Sequence, residues 1–316
     1  MNSLQARDSK RYMIAPMCRA FDVSKQAYYK WDRERELRRS LLESFALEFI
    51  LNVRLKDPGI GGRKLWHMYR LEFPGEARLG RDRFESLIAA NGLKVRKRPR
   101  STRTTDSAHS FPLWPNLARG FIPTGINQQW VSDITYIPLW TGDERHSFCY
   151  LSLITDAYSR EIIGWAVGLS LDSVYPIRAL EMAVERQGGT SLEGLIHHSD
   201  RGVQYACREY TGLLKANGIR ISMTENGDPK ENAQAERVNS TIKNEQFKGM
   251  RFHSLAQVRE ALEAAVDFYN NRRPHMSLDM MTPAQAAKCH GEIGKRWHSY
   301  REAAIKKKRY SLMGYS

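Results

Sequence analysis

Three acidic residues lie in settings where carboxylates often do chemistry. Asp133 lies inside an apolar, strand-like run, Asp200 directly follows a second apolar run, and Glu236 lies in a stretch with helical periodicity. An aspartate is costly to bury in such a run unless a partner compensates its charge. Three carboxylates on two strand ends and a helix therefore indicate a site for divalent metal ions, which favour oxygen ligands.

Other polar residues close to these positions have more ordinary interpretations. Asp156 also ends a predicted strand, but an aspartate there more often caps a turn. Glu231 competes with Glu236 for the third ligand position, yet it suits a helix-capping role. His197 and His198 could touch metal or phosphate, although packing or hydrogen bonding near the site is the commoner fate.

The residues around the three acids carry a family resemblance. Asp200 and Glu236 are separated by 35 residues, and four motifs follow one another in order: Trp130–Tyr136, His198–Gly202, Glu236–Lys243 and Tyr269–His275. This pattern resembles the second-frame transposase of the bacterial insertion-sequence-3 family, which has the acidic DDE triad of retroviral-type integrases. The resemblance implies that Asp133, Asp200 and Glu236 are catalytic and hold two Mg²⁺ ions, for which Mn²⁺ can substitute.

The resemblance also implies a reaction and its partners. We expect a DNA transposase that binds the terminal inverted repeats of an insertion sequence, nicks DNA to free a 3′-OH, and joins that end to target DNA by a two-metal-ion mechanism. Since two ends must be coupled, we expect a homo-oligomer, at least a dimer, on the DNA. The alternatives are a ribonuclease-H-like nuclease that only hydrolyses and a domesticated DNA-binding protein.

The elements that must position the acids can be predicted from periodicity. The predicted order is strands over 129–139, 148–155 and 161–167, a helix over 173–186, a strand over 194–199, a helix over 206–217 and a strand over 219–223. This order matches the α/β catalytic core of the ribonuclease-H-like (retroviral integrase) fold that the resemblance implies. The first three strands would form an antiparallel meander, and the later strands would add parallel to the first.

The helix that carries Glu236 has a strong predicted start. Asp228 can cap it, Pro229 suits its first position, and Glu231 completes a capping box. At helical spacing Asn232, Glu236, Asn239 and Lys243 share one face, and an apolar stripe forms another.

Helical modules are predicted ahead of this core. Ser24 can cap a short helix carrying Lys25, Gln26 and Lys30; the residues alone suit an ordinary helical hairpin, whereas the resemblance favours a helix-turn-helix. The predicted domains are an N-terminal helix-turn-helix-like segment (1–39), a second such module (40–93), a basic linker (94–124), the catalytic core (125–250), and C-terminal helices with a basic tail (251–316).

Charge is unevenly distributed along the chain, whose formal net charge is +14. Residues 1–100 and 251–316 are net basic, whereas residues 121–250 are net acidic. The segment 94–103 is rich in basic residues and has no acidic one, so it is either a solvated linker or an arm along a phosphate backbone. The residues predicted to contact DNA are Lys25, Gln26, Lys30, Lys94, Arg96, Lys97, Arg98, Arg100, Arg103, Asn239, Lys243, Arg272 and Arg273.

Composition argues against several other classes of protein. The four cysteines form no Cys-x-x-Cys pair, and the nine histidines form no zinc pattern, so we expect reduced thiols in the cytosol. We see no apolar run of membrane-spanning length and no signal-peptide stretch. We therefore expect a bacterial cytoplasmic, nucleoid-associated protein without a membrane partner.

Overall fold

The structure is a computed structural model that describes residues 13–30, 33–75, 78–95, 112–141, 145–225 and 231–312. It separates into two compact units. The described residues up to 51 form the first unit together with those of 69–93, and the described residues of 52–68 form the second together with those after 93. No helix in the described ranges is long and apolar enough to cross a membrane.

The N-terminal part of the chain is helical, as predicted. Its helices are α1 (Ile14–Ala20), α2 (Lys25–Lys30), α3 (Arg33–Lys56), α4 (Gly62–Glu72) and α5 (Arg81–Ala90). The hydroxyl of Ser24 accepts a hydrogen bond from the Ala27 N–H (3.0 Å) and so caps α2 as expected. Asn91 and Gly92, the latter with φ of 66°, end α5 as their sequence predicts.

A five-stranded mixed sheet is the centre of the second unit. Its strands are β1 (Gln129–Thr141), β2 (Arg145–Asp156), β3 (Ile162–Gly168), β4 (Ile196–Ser199) and β5 (Arg220–Met223), in the spatial order β3-β2-β1-β4-β5. The strands β1, β2 and β3 are antiparallel neighbours, whereas β4 is parallel to β1 and β5 is parallel to β4. This arrangement confirms the predicted ribonuclease-H-like α/β core.

Helices cover both faces of the sheet. They are α6 (Val174–Glu185), α7 (Val203–Ala206), α8 (Arg208–Ala216), α9 (Ala233–Thr241), a π-helical turn (Ile242–Gln246), α10 (Leu255–Asn271), α11 (Pro283–Ala286) and α12 (Tyr300–Leu312). One buried cluster joins the sheet to α6 and α8 through Trp130, Leu180 and Tyr210. A second joins it to α9 and α10 through Val238 and Leu262.

One predicted helix is confirmed and the start of another is wrong. The helix predicted over 206–217 is present as α8, and the short helix α7 precedes it. The helix carrying Glu236 begins at Ala233, so the predicted capping box is wrong; Asp228 and Pro229 lie outside the described residues. The carboxylate of Glu231 instead accepts a hydrogen bond from the backbone N–H of Glu225 (2.7 Å), which removes it from a capping role.

Candidate catalytic site at the end of two parallel strands

The register of β1 and β4 places two of the predicted acids side by side. Trp130 lies opposite His197 and Val131 lies opposite His198 in this parallel pair. Asp133 and Asp200 each follow a paired residue by two positions, so they come at the same level of adjacent strands. The Asp200 carboxylate accepts a hydrogen bond from the Gly202 N–H (3.0 Å), which holds it at the point where β4 ends.

The third acid is brought to the same place by the helix α9. The side-chain amide of Asn232 donates to the Ser132 carbonyl oxygen (2.9 Å), and that of Asn239 donates to Oδ2 of Asp133 (2.9 Å). Glu236 lies four residues after the first asparagine and three before the second, so the three share a helix face. Glu236 therefore lies between two residues that are hydrogen-bonded to β1.

The apolar side of α9 explains why the helix stays there. Ala235 packs with Val131 and Ala157 in a small buried cluster, and Val238 packs in the cluster shared with α10. Burial of these apolar side chains leaves the polar face turned toward the end of β1. Glu236 is half-buried on this docked helix.

The donor set suits a hard divalent cation, because it consists of carboxylate oxygens from three elements that meet at one level. Among the described residues, no three His, Cys, Asp or Glu side chains form a group that could hold a metal ion as they are placed. The residues fit such an ion by the chemistry of their oxygen donors, and the three carboxylates do not converge on one point in this structure.

A buried tyrosine contacts the residue that precedes Asp133 in β1. The hydroxyl of Ser132 donates to the phenolic oxygen of Tyr205 (3.0 Å). Burial raises the pKa of Tyr205 well above its ordinary value, and the charges of Asp200 and Asp133 add to this effect. The phenol is thus neutral over the physiological range. Sequence reasoning did not single out this tyrosine, although its place five residues after Asp200 was a usable signal.

The two histidines before Asp200 serve packing and hydrogen bonding, as expected for most such residues. His197 is hydrogen-bonded to the Tyr210 phenol (2.9 Å), and burial lowers its pKa to about 3, so its ring is neutral. Nε2 of His198 donates to the Glu231 carbonyl oxygen (3.1 Å), while Nδ1 is hydrogen-bonded to the Ser222 hydroxyl (2.8 Å). His198 therefore links β4 and β5 to the segment that leads into α9.

Asp156 has the structural role that its position at a strand end predicts. Oδ1 accepts hydrogen bonds from the N–H groups of Tyr158 and Ser159, and Oδ2 accepts one from the Asn127 N–H. Burial raises the pKa of Asp156, and these hydrogen bonds oppose the rise. It is a turn cap and not a fourth acid of the site.

Two residues that were predicted to contact DNA are buried, which corrects that prediction. Asn239 is 4% exposed and donates to Asp133 instead. Arg273 is 3% exposed and forms ion pairs with Asp57 and Glu245. Neither side chain can reach a phosphate backbone from such a position.

The other predicted DNA contacts are exposed or half-buried where the structure describes them. Lys25, Gln26 and Lys30 are exposed on α2, and Lys94 and Arg272 are exposed as well. Arg96, Lys97, Arg98, Arg100 and Arg103 lie outside the described residues.

Lys243 lies beyond the end of the helix that was predicted to carry it. The α-helix ends at Thr241, and Lys243 belongs to the π-helical turn that follows. Its Nζ lies 3.4 Å from the centroid of the Tyr136 ring, an exposed aromatic residue of β1. The charge of Lys243 is therefore held over the strand that carries Asp133.

Comparisons with known proteins agree with this geometry. Residues 123–229 match the family model described as integrase core domain, and residues 217–283 match a second model with the same description. The chain is 34% identical over 275 residues to the uncharacterized 31 kDa protein of insertion element IS600 from Shigella sonnei, covering 85% of this chain and 96% of that protein.

Two further relatives are named as transposases. The transposase for insertion sequence element IS629 of Shigella sonnei is 30% identical over 289 residues, covering 89% of this chain and 93% of the relative. Transposase InsF for insertion sequence IS3A of Escherichia coli K12 is 27% identical over 282 residues, covering 87% of this chain and 93% of the relative.

Proposed function

Because this chain belongs to the DDE transposases of the insertion-sequence-3 family, we propose that it binds the terminal inverted repeats of its element, nicks DNA to free a 3′-OH, and joins that end to target DNA. The proposal depends most directly on one observation. The register of β1 with β4 puts Asp133 level with Asp200, and Asn232 and Asn239, on either side of Glu236 in the chain, both bond to β1.

The reaction that we propose depends on divalent metal. Asp133, Asp200 and Glu236 would hold two Mg²⁺ ions, or Mn²⁺ in their place. When bound, two such ions activate the attacking oxygen and stabilise the leaving 3′ oxygen of an in-line displacement. Water as the attacking group gives the nick, and the freed 3′-OH as the attacking group gives strand transfer.

The protein's own groups prepare this site. Asn239 donates to Oδ2 of Asp133, which fixes the orientation of that carboxylate. The neutral phenol of Tyr205 adds no charge behind the aspartates. The network around His198 ties the strand that ends at Asp200 to the residues that lead into α9.

DNA binding is proposed for the basic parts of the chain. The exposed polar face of α2 would enter a groove in the manner of a helix-turn-helix, and the basic segment 94–103 would follow the phosphate backbone. Lys243 and Arg272 would contact DNA near the site. Since two ends must be brought together, the active form would be at least a dimer on DNA.

A purified strand-transfer assay tests this function. Labelled duplexes ending in the inverted repeats that flank the reading frame are incubated with protein, a target plasmid, and Mg²⁺ or chelator. We expect joined product only when divalent metal is present, and only from protein in which Asp133, Asp200 and Glu236 are unchanged. Hydrolysis without joining would identify a nuclease that only hydrolyses, and repeat binding without either reaction would identify a domesticated DNA-binding protein.

A further inference from the structure

A short turn, Asp57–Gly61, contacts the backbone of the π-helical turn that continues α9. We call α9, which carries Glu236, the catalytic helix. The Gly59 N–H donates a hydrogen bond to the Glu245 carbonyl oxygen (2.9 Å) in the π-helical turn. A Cβ atom at Gly59 would lie 2.4 Å from the Cα of Glu245 and 2.8 Å from its oxygen. Such distances are far below van der Waals contact, so only glycine permits this approach.

Buried ion pairs hold the same two segments together. The guanidinium of Arg273 pairs with Asp57 (Nε–Oδ2 3.4 Å) and with Glu245, and Lys64 pairs with Glu245 (3.6 Å). The Arg273 and Asp57 side chains are only 4% and 0% exposed, so water screens their charges little. Removal of one partner would leave an uncompensated buried charge, which is strongly destabilising.

The charge state of Glu245 supports a lasting contact. Burial alone would raise the pKa of its carboxyl, but the charges of Arg273 and Lys64 outweigh that effect and hold the pKa below its ordinary value. Glu245 is thus ionised at neutral pH.

The contact lies on the same continuous helical segment as Glu236. The α-helix and the π-helical turn run without interruption from Ala233 to Gln246, with Glu236 nine residues before Glu245. Val238 and Ile242 bury this segment against the sheet, so it behaves as one rigid body. A shift forced at Glu245 would therefore be transmitted to Glu236.

We propose that the Asp57–Gly61 turn positions the catalytic helix, and that Gly59 and Arg273 are positioning residues for Glu236. This inference rests on the proposed role of Glu236 as a metal ligand. It gives the turn, which precedes the core in the chain, a direct part in the geometry of the active site. It also gives Arg273 a role in place of DNA contact.

Two glycines of this one turn provide a matched test. Neither has a left-handed φ, and a Cβ at Gly61 would meet nothing within 4 Å, whereas one at Gly59 would meet the Glu245 backbone. The variants Gly59→Ala and Gly61→Ala thus add the same methyl group two residues apart. Each is compared with wild type for strand transfer at saturating DNA, the KM for DNA, Mn²⁺ binding by electron paramagnetic resonance, and circular dichroism.

We expect Gly59→Ala to lower the strand-transfer rate by roughly 10- to 100-fold, since a misplacement of about 1 Å can cost that much. Its Mn²⁺ affinity should fall as well, while the KM for DNA and the circular dichroism spectrum stay as in wild type. Gly61→Ala should match wild type in every measurement. Equal behaviour of the two variants, or an unchanged Mn²⁺ affinity in folded Gly59→Ala, would overturn the inference.

A second variant decides the matter if Gly59→Ala does not fold. Glu245→Gln keeps the backbone contact and the shape of the side chain but removes the charge that Arg273 and Lys64 hold. Loss of Mn²⁺ affinity in this variant supports the positioning role, and wild-type affinity refutes it. Failure of the proposed function is distinguishable, because wild-type protein would then give no joined product with any divalent metal.

Discussion

The side-chain amide of Asn239 donates a hydrogen bond to Oδ2 of Asp133 across a distance of 2.9 Å. The bond joins the helix that carries Glu236 to the strand that carries Asp133, so one contact fixes two members of the acidic triad. It also orients the Asp133 carboxylate, since an oxygen that accepts from an amide cannot rotate freely.

Asn239→Ala should lower strand transfer by roughly 10- to 100-fold, because loss of a residue that orients a metal ligand typically costs that much. Binding of the terminal repeat should be unchanged. A suitable control is Asn244→Ala, which removes an exposed-surface hydrogen bond to Ser240 on the same helical segment. The prediction fails if both variants join DNA at the same rate.

Asp133→Asn, Asp200→Asn and Glu236→Gln should each abolish both nicking and joining while repeat binding, measured by gel shift, stays nearly intact. Each amide keeps the shape of the side chain but loses the charge that a divalent cation requires. Glu231→Gln is the matched control, because its amide oxygen can still accept from the Glu225 N–H. Joining by Asp200→Asn at the wild-type rate would remove the metal site from the mechanism.

Neutralising Arg96, Lys97 and Arg98 together should weaken DNA binding and flatten its salt dependence. Each lost phosphate contact should reduce the slope of log affinity against log salt by about 0.9. The same triple change at Lys306, Lys307 and Lys308 of α12 is the charge-matched control. An unchanged slope in the first variant would make the basic segment a linker only.

Asp57 should make stability depend on pH. Burial raises the pKa of its carboxyl to about 6, and Arg273 opposes the rise only in part. A carboxyl that binds its proton more tightly when folded stabilises the protein below its unfolded pKa, and this contribution is lost as pH rises from about 4 to about 6. A shift of about two units corresponds to roughly 3 kcal/mol.

Urea denaturation between pH 4 and pH 7 checks this expectation. The free energy of unfolding of wild type, relative to Asp57→Asn, should fall as the pH rises through this window. The control variant is Asp82→Asn, at an exposed position of α5, and its free energy of unfolding is measured over the same pH range. Parallel pH profiles for wild type and Asp57→Asn would contradict the assignment.

Much of the core was predictable because its signals are local. Short apolar, strand-like runs marked the meander of β1, β2 and β3. The triad was predicted because each acid lies in a recognisable motif, and its catalytic role stays a prediction. The predicted boundary at residue 251 remains a prediction, although α10 packs in the same cluster as β2.

The errors arose where distant residues decide the outcome. Arg273 follows a helix in a basic turn, which is typical of a surface, but Asp57 and Glu245 surround it in the fold. The Asp228–Glu231 pattern is a good local helix start, but the Glu231 carbonyl oxygen bonds to His198 and the Asn232 side chain donates to the Ser132 carbonyl oxygen. Contacts that form only in the tertiary structure leave no periodic pattern in the sequence from which they could be predicted.

One asparagine of the Tyr269–His275 motif has a consequence for association. β3 is the last strand on its side of the sheet, and the Asn270 side chain both accepts from the Ile162 N–H and donates to the Ile162 carbonyl oxygen, each at 2.9 Å. An open sheet edge is a template for pairing with another chain, and proteins block such edges. Asn270 thereby takes the place of a neighbouring strand at this position, which closes the edge at Ile162 to β-pairing with a second copy.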